Sequence, residues 1–241
     1  SSGSLNLYRF TQVGILSHNL SLTNGSILRV GPDSSFDGDV TFNSPQIYLN
    51  GATYKRTASI EKTGATDNNS LGGNIFQGIT SITNSGSGEI FMGNTNADSF
   101  GDVTTFNNTG SYRIRIAYNH GGQATTFANN VTLNSNKSGG TDPWSFFVCD
   151  GTNTEVIFGG TLTLNVAGTL RSDFRFLNGN GSLATFNGPV VINMTNTDPS
   201  TVVTMGQNGV STYNGNITVT NTGGAAGINF NNTASASSTL N

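Results

Sequence analysis

Charge is scarce in this chain: Asp, Glu, Lys and Arg together make only 10% of its 241 residues. The formal net charge is -3 and no basic stripe is present, which argues against nucleic acid as a partner. Histidine is thin as well, with His18 and His120 standing alone, and the Gly-Gly-x-Gly-x-Asp calcium repeat is missing. Asp37 and Asp39 flank one glycine and are too few to make a cation site. Neither a metal nor a cofactor is expected. The single cysteine, Cys149, excludes an internal disulfide. With no base placed beside it, it reads as a small buried apolar residue rather than a nucleophile. No apolar run approaches the roughly 18 residues of a membrane span, and no amphipathic helical period appears.

What the chain does contain is a repeat. Aromatic or apolar anchors begin similar units at Leu16, Phe36, Tyr54, Phe76, Phe100, Phe127, Phe158, Phe186 and Tyr213, spaced by 18 to 31 residues. The sixth residue after each anchor is apolar throughout: Leu22, Phe42, Ile60, Ile82, Phe106, Leu133, Leu164, Ile192 and Val219. The fourth is usually apolar too; where it is Thr80 or Thr104, an apolar Ile79 or Val103 stands one place earlier. Apolar residues at every second place, separated by Thr, Ser or Asn, describe a strand with one buried and one wet face. Gly38, Gly78, Gly160, Gly188 and Gly215 sit two places after their anchors, where a corner with unusual backbone angles is expected.

One such unit has nothing to bury against, so the copies must stack in parallel, about 4.8 Å apart, anchor on anchor. The expected fold is all-β, a right-handed parallel β-helix of about nine turns and on the order of 40 to 45 Å long. Its core column is Phe36, Tyr54, Phe76, Phe100, Phe127, Phe158, Phe186 and Tyr213. Residues 1–15 make a partial first turn, 16–233 a single solenoid, and 234–241 a low-complexity tail or a link to further sequence. The turn anchored on Tyr54 carries Lys55, Arg56, Glu61 and Lys62, then a polar run from Thr63 to Asn74 with no second strand. An interrupted wall with a surface loop is expected there. No helical cap is seen at either end, which predicts a piece of something longer, its strand edges covered by further sequence or by neighbours.

Chemistry has few candidates. Asp142, Asp173 and Asp198, with Arg171, fall at similar places on successive turns, as a polysaccharide lyase or hydrolase would need. Asp142-Pro143 and Asp198-Pro199 are also ordinary turn openers, so we expect no enzyme. Arg113 and Arg115 alternate with Ile114 and Ile116 and should face solvent, where they could grip an acidic partner. The more informative feature is an outward face with Thr41, Thr105, Thr132, Thr163 and Thr218 in one row and Asn107, Asn134, Asn165 and Asn193 in the next. Stacked at strand spacing, these hydroxyls and amides would suit a repetitive surface, carbohydrate or ice. Strand propensity and amide laddering account for the same residues without a ligand.

The runs Ile60-Glu-Lys-Thr-Gly-Ala-Thr, Gly72-Gly-Asn-Ile-Phe-Gln-Gly-Ile-Thr, Phe100-Gly-Asp-Val-Thr-Thr-Phe-Asn-Asn-Thr-Gly-Ser and Tyr213-Asn-Gly-Asn-Ile-Thr-Val-Thr-Asn-Thr-Gly are similar to repeats of giant surface adhesins of Bacteroidota, exported by type IX secretion. Some members of that family belong to grappling filaments used on prey. The resemblance covers residues 36–233 and carries no catalytic residues. It implies a secreted, extracellular, cell-surface protein that is a structural and adhesive segment of a filament. The partners implied are copies of itself in a homo-oligomer or fibre, and glycans or a prey or host cell surface.

Overall fold

The computed structural model describes residues 3–225, 227–231 and 237–240. Among them the chain is all β, without a helix, and the paired strands run parallel into a β-solenoid. Each turn visits three walls in the same order. One wall stacks ten short strands from Thr11–Gln12 to Ser237–Leu240 and carries the anchors; we call it the anchor wall. A second stacks nine, from His18–Ser21 to Ile217–Asn221, and carries the Thr and Asn rows. The third is split into a sheet of three, ending at Gln46–Leu49, and a sheet of six, beginning at Ile90–Phe91.

Register on the anchor wall sets Phe36 against Tyr54, then Phe76, Phe100, Phe127, Phe158, Phe186 and Tyr213 in one column. Every ring is buried, and successive rings stack within 12° of parallel at 4.6–5.2 Å, the spacing of the strands themselves. Such pairs contribute about 0.5–1.5 kcal/mol each beyond the area they bury. The Thr/Asn wall alternates buried and half-buried positions, as in Leu162–Val166 and Val190–Met194.

Three expectations are corrected. Leu16 is not an anchor: it is 78% exposed, and Gln12 pairs with Phe36 in its place. Consequently Leu20, not Leu22, lies against Phe42. Ser4–Leu7 and Thr11–Gln12 pair on the next turn as strands of two walls. Second, Thr80 and Thr104 occupy the buried strand positions themselves, while Ile79 and Val103 lie exposed at the corner. Each hydroxyl donates to the carbonyl two residues earlier (Gly78 and Asp102, both 3.0 Å), so threonine substitutes for valine without an orphaned group. Third, the corner glycines have ordinary negative φ; they are glycines because stacked corners touch. A Cβ on Gly188 would lie 2.5 Å from the backbone of Gly160, and one on Gly215 2.6 Å from that of Gly188.

The third wall is reduced at the Tyr54 turn to isolated parallel bridges, Asn50 with Gly72 and Asn68 with Ile90, and side chains supply further bonds between the turns. Ser70 Oγ accepts from Leu49 N (2.9 Å), Asn68 Oδ1 from Phe91 N (2.6 Å) and Asp67 Oδ1 from Glu89 N (2.7 Å). Asn74 bridges further: Oδ1 accepts from Gly51 N and Ala52 N, and Nδ2 donates to Leu49 O and to Asp98 Oδ1. Asn68, Ser70 and Asn74 are buried, so 68–74 is wall, while Thr63, Ala65, Thr66 and Asp67 are exposed as expected of a surface loop. At the other end, Ser237–Leu240 pairs with Val210–Tyr213, so the tail adds a strand. Residues 234–236 and 241 lie outside the described residues.

Candidate functional site

The Thr/Asn wall is the most regular surface. Register carries Thr41 through Ser59 and Ser81 to Thr105, Thr132, Thr163, Val191 and Thr218. One column over run Asn43, Glu61, Thr83, Asn107, Asn134, Asn165, Asn193 and Thr220. The four asparagines form an amide ladder in which each Nδ2 donates to the Oδ1 below: Asn134 to Asn107 at 2.9 Å, Asn165 to Asn134 at 2.8 Å, Asn193 to Asn165 at 2.9 Å. Their amide dipoles therefore point the same way. Asn134, Asn165 and Asn193 each keep a second N–H and a second lone pair for outside contacts, whereas Asn107 Nδ2 lies 3.4 Å from both Ser81 Oγ and Thr83 Oγ1. Glu61 joins the column rather than breaking it, accepting from Asn43 Nδ2 (3.0 Å) and Ser85 Oγ (2.6 Å).

A second hydroxyl column went unread in the sequence. The residue before each anchor faces outward on the anchor wall, giving Ser35, Thr53, Ser99, Thr126, Thr185 and Thr212 in register, broken by Ile75 and Ile157. Its signal was one place from the anchors. Threonine on two walls weakens any argument from threonine alone, and it is the asparagine ladder that distinguishes the first.

The third wall carries the densest ion pairs. Its outward column reads Phe91, Arg115, Phe147, Arg175. Guanidiniums alternate with rings: Arg115 lies 4.9 Å from the centroids of Phe147 and Tyr118, and Arg175 3.7 Å from that of Trp144. Arg113 and Arg115 do not face solvent; their side chains are 16% and 14% exposed. Arg113 pairs with Glu89 and Asp142, Arg115 with Glu89 and Asp150. Burial alone would lower the Arg115 pKa, but the Glu89 hydrogen bond and the Asp150 charge raise it.

The three aspartates weighed for catalysis are separated in role. Asp142 holds Arg113 at 3.2 Å. Asp173, fully buried, accepts from Arg171 (2.6 and 2.8 Å) and from Val202 N (2.9 Å); burial raises its pKa and Arg171 opposes the rise. Asp198 caps a turn through Ser200 N at 2.8 Å.

Elsewhere, Cys149 is buried, its thiol pushed up to about 12 by desolvation. Buried His120 has Nε2 2.8 Å from Thr125 Oγ1, and burial lowers its pKa. Lys62, read from sequence as part of a polar turn, is buried; Nζ donates to Gly64 O (2.5 Å) and Gly88 O (3.1 Å), and desolvation lowers its pKa to about 8. Asp37 pairs with Lys55 at 2.7 Å and Asp39 accepts from Thr57 N at 3.0 Å. Among the described residues no three of His, Cys, Asp and Glu converge as metal ligands. No protein-family model, curated protein or solved structure matches the chain.

Proposed function

We propose that this chain is a structural and adhesive segment of an extracellular fibre or filament at a cell surface, acting mechanically and without enzymatic activity. The observation that carries the reading is the aromatic column from Phe36 to Tyr213, in one register and wholly buried. Backbone ladders along the same axis make the rod stiff without disulfides. The polar, nearly uncharged faces suit contact with copies of the chain, with glycans or with another cell's surface. The repeat resemblance supports the secreted location. Antibodies against the chain, used in immunogold microscopy of producing cells, should label surface filaments; label confined to the cell interior would overturn the proposal.

A second reading rests on the amide ladder: a face of aligned, half-satisfied amides beside a threonine row, for an uncharged repetitive surface such as an insoluble glycan or ice. Thr132→Glu with Thr163→Lys should abolish co-sedimentation with such material and leave the rod folded. Unchanged binding would end this reading.

A further inference from the structure

A groove of about 560 Å³ runs along the corner between the third wall and the anchor wall. Its lining residues, from Pro32 to Gln123, come from the corners of five successive turns, all described and away from both ends of the chain. Glycine makes its floor. Isolated bridges join Asn50 to Gly72 and Gly72 to Asn96, so the three form one column whose middle member has no side chain. Gly72 is needed there twice over: its φ is +81, and a Cβ would lie 2.1 Å from Asn96 O. Two carboxamides therefore stand on either side of a notch, roughly 10 Å apart at two strand spacings.

What faces the groove is apolar or uncharged. Leu71 and Ile75, on either side of Gly72 and Gly73 in the chain, are 47% and 45% exposed, and no charged side chain lines the groove. Asn96 and Gln123 are exposed, and among the described residues their carboxamides make no hydrogen bond. Asn50 accepts from Leu71 N through Oδ1 (2.6 Å) and keeps both its N–H groups. The backbone of the floor is already paired: Gly72 N donates to Leu49 O, Gly73 N to Asn96 O, Ile75 N to Ala52 O and Ser99 N to Asn74 O. An added peptide strand would find no ladder there, so recognition falls to side-chain amides and apolar contact. Asn74, buried beneath, links Gly51 N and Ala52 N to Asp98, so the floor is formed in advance of any ligand.

We propose that this groove binds one chain of an uncharged, β-linked pyranose polysaccharide lying along the rod. An equatorially substituted pyranose presents flat C–H faces and a rim of hydroxyls that both donate and accept. The faces match Leu71 and Ile75, and the hydroxyls match the free amide groups of Asn50, Asn96 and Gln123. An acidic glycan would find no cation in the lining to offset its desolvation. The proposal deepens the adhesive part of the fibre reading, giving it a ligand class and a place away from the Thr/Asn wall.

Calorimetric titration of the chain with neutral hexasaccharides of β-linked glucose, mannose and N-acetylglucosamine, and with an oligogalacturonate of equal length, tests the site. At least one neutral sugar should bind and the acidic one should not. On binding, the amide NMR signals of Gly72, Gly73, Asn96 and Gln123 should shift while those of Thr132 and Thr163 stay in place. Leu71→Glu and Asn96→Ala, at exposed positions outside the core, should each weaken binding by about ten-fold or more. Thr132→Glu with Thr163→Lys should bind the sugar as tightly as the parent chain, which separates this groove from the amide-ladder reading. Failure of every neutral sugar to bind would overturn the proposal. So would equal binding of the oligogalacturonate, or undiminished binding by the Leu71 and Asn96 variants. The fibre reading is decided by immunogold labelling of cells, so either can fail alone.

Discussion

Gly188 sits between Gly160 below and Gly215 above at a corner where backbones touch, and its lack of a side chain is steric rather than torsional. Gly188→Ala should cost about 3 kcal/mol, because the neighbour within 2.5 Å is backbone and cannot move aside. Gly122→Ala, with φ +90 and nothing within 4 Å, should cost about 1 kcal/mol from strain alone. Urea denaturation of the two variants measures the difference. Tyr54 poses the opposite case: its hydroxyl is buried with no partner in the aromatic column, so Tyr54→Phe should stabilise by about 1 kcal/mol. A destabilised Phe variant would mean that an internal water satisfies the hydroxyl. Lys62 makes stability depend on pH. Its folded pKa of about 8 lies below the ordinary lysine value of 10.5, so the charged ammonium burdens the fold fully below pH 8. Stability should therefore rise between pH 8 and pH 10.5. The rise should vanish in Lys62→Met, as unfolding curves collected across that interval would reveal.

At the scale of an element, the break in the third wall is the distinctive feature. Backbone ladders need extended strands, and the run from Thr63 to Asn74 is too rich in Gly, Asn and Ser to hold one there. The turn instead presents side-chain amides and hydroxyls at ladder positions, with Asn74 serving Leu49, Gly51, Ala52 and Asp98 at once. Asn74→Ala should leave several buried partners unsatisfied and cost about 3 kcal/mol. Because each turn touches only its neighbours, the loss should stay local. Hydrogen exchange should quicken at Gly51 and Ala52, while Val190–Met194 keeps its protection. Uniform quickening along the rod would contradict nearest-neighbour behaviour.

For the whole molecule, stability is predominantly apolar and backbone-based. With 10% charged residues, and the densest ion pairs enclosed between aromatic rings on the third wall, little charge is left for salt to screen. The melting temperature should move by less than about 2 °C between low and moderate salt, a shift that scanning calorimetry resolves. A larger change would mean that exposed pairs such as Lys55 with Asp37 matter more than their position suggests.

Sequence periodicity alone determined the solenoid, because a strand with one apolar face has only one way to bury it when the same face returns every 18 to 31 residues. The eight-residue core column and the outward rows were legible for the same reason: side-chain period two is a local property of the strand. What only the tertiary structure decided were contacts between turns at corners, where no period holds. The first corner's two extra residues moved the anchor from Leu16 to Gln12, and an apolar residue at the expected spacing proved to be a solvent-exposed tip. Arg113 and Arg115 read outward correctly by alternation, yet aromatic rings and carboxylates enclose them, and their partners Glu89, Asp142 and Asp150 lie 24 to 35 residues away. Lys62 looked like part of a polar surface because its partners are carbonyls, which every residue has and no sequence pattern marks.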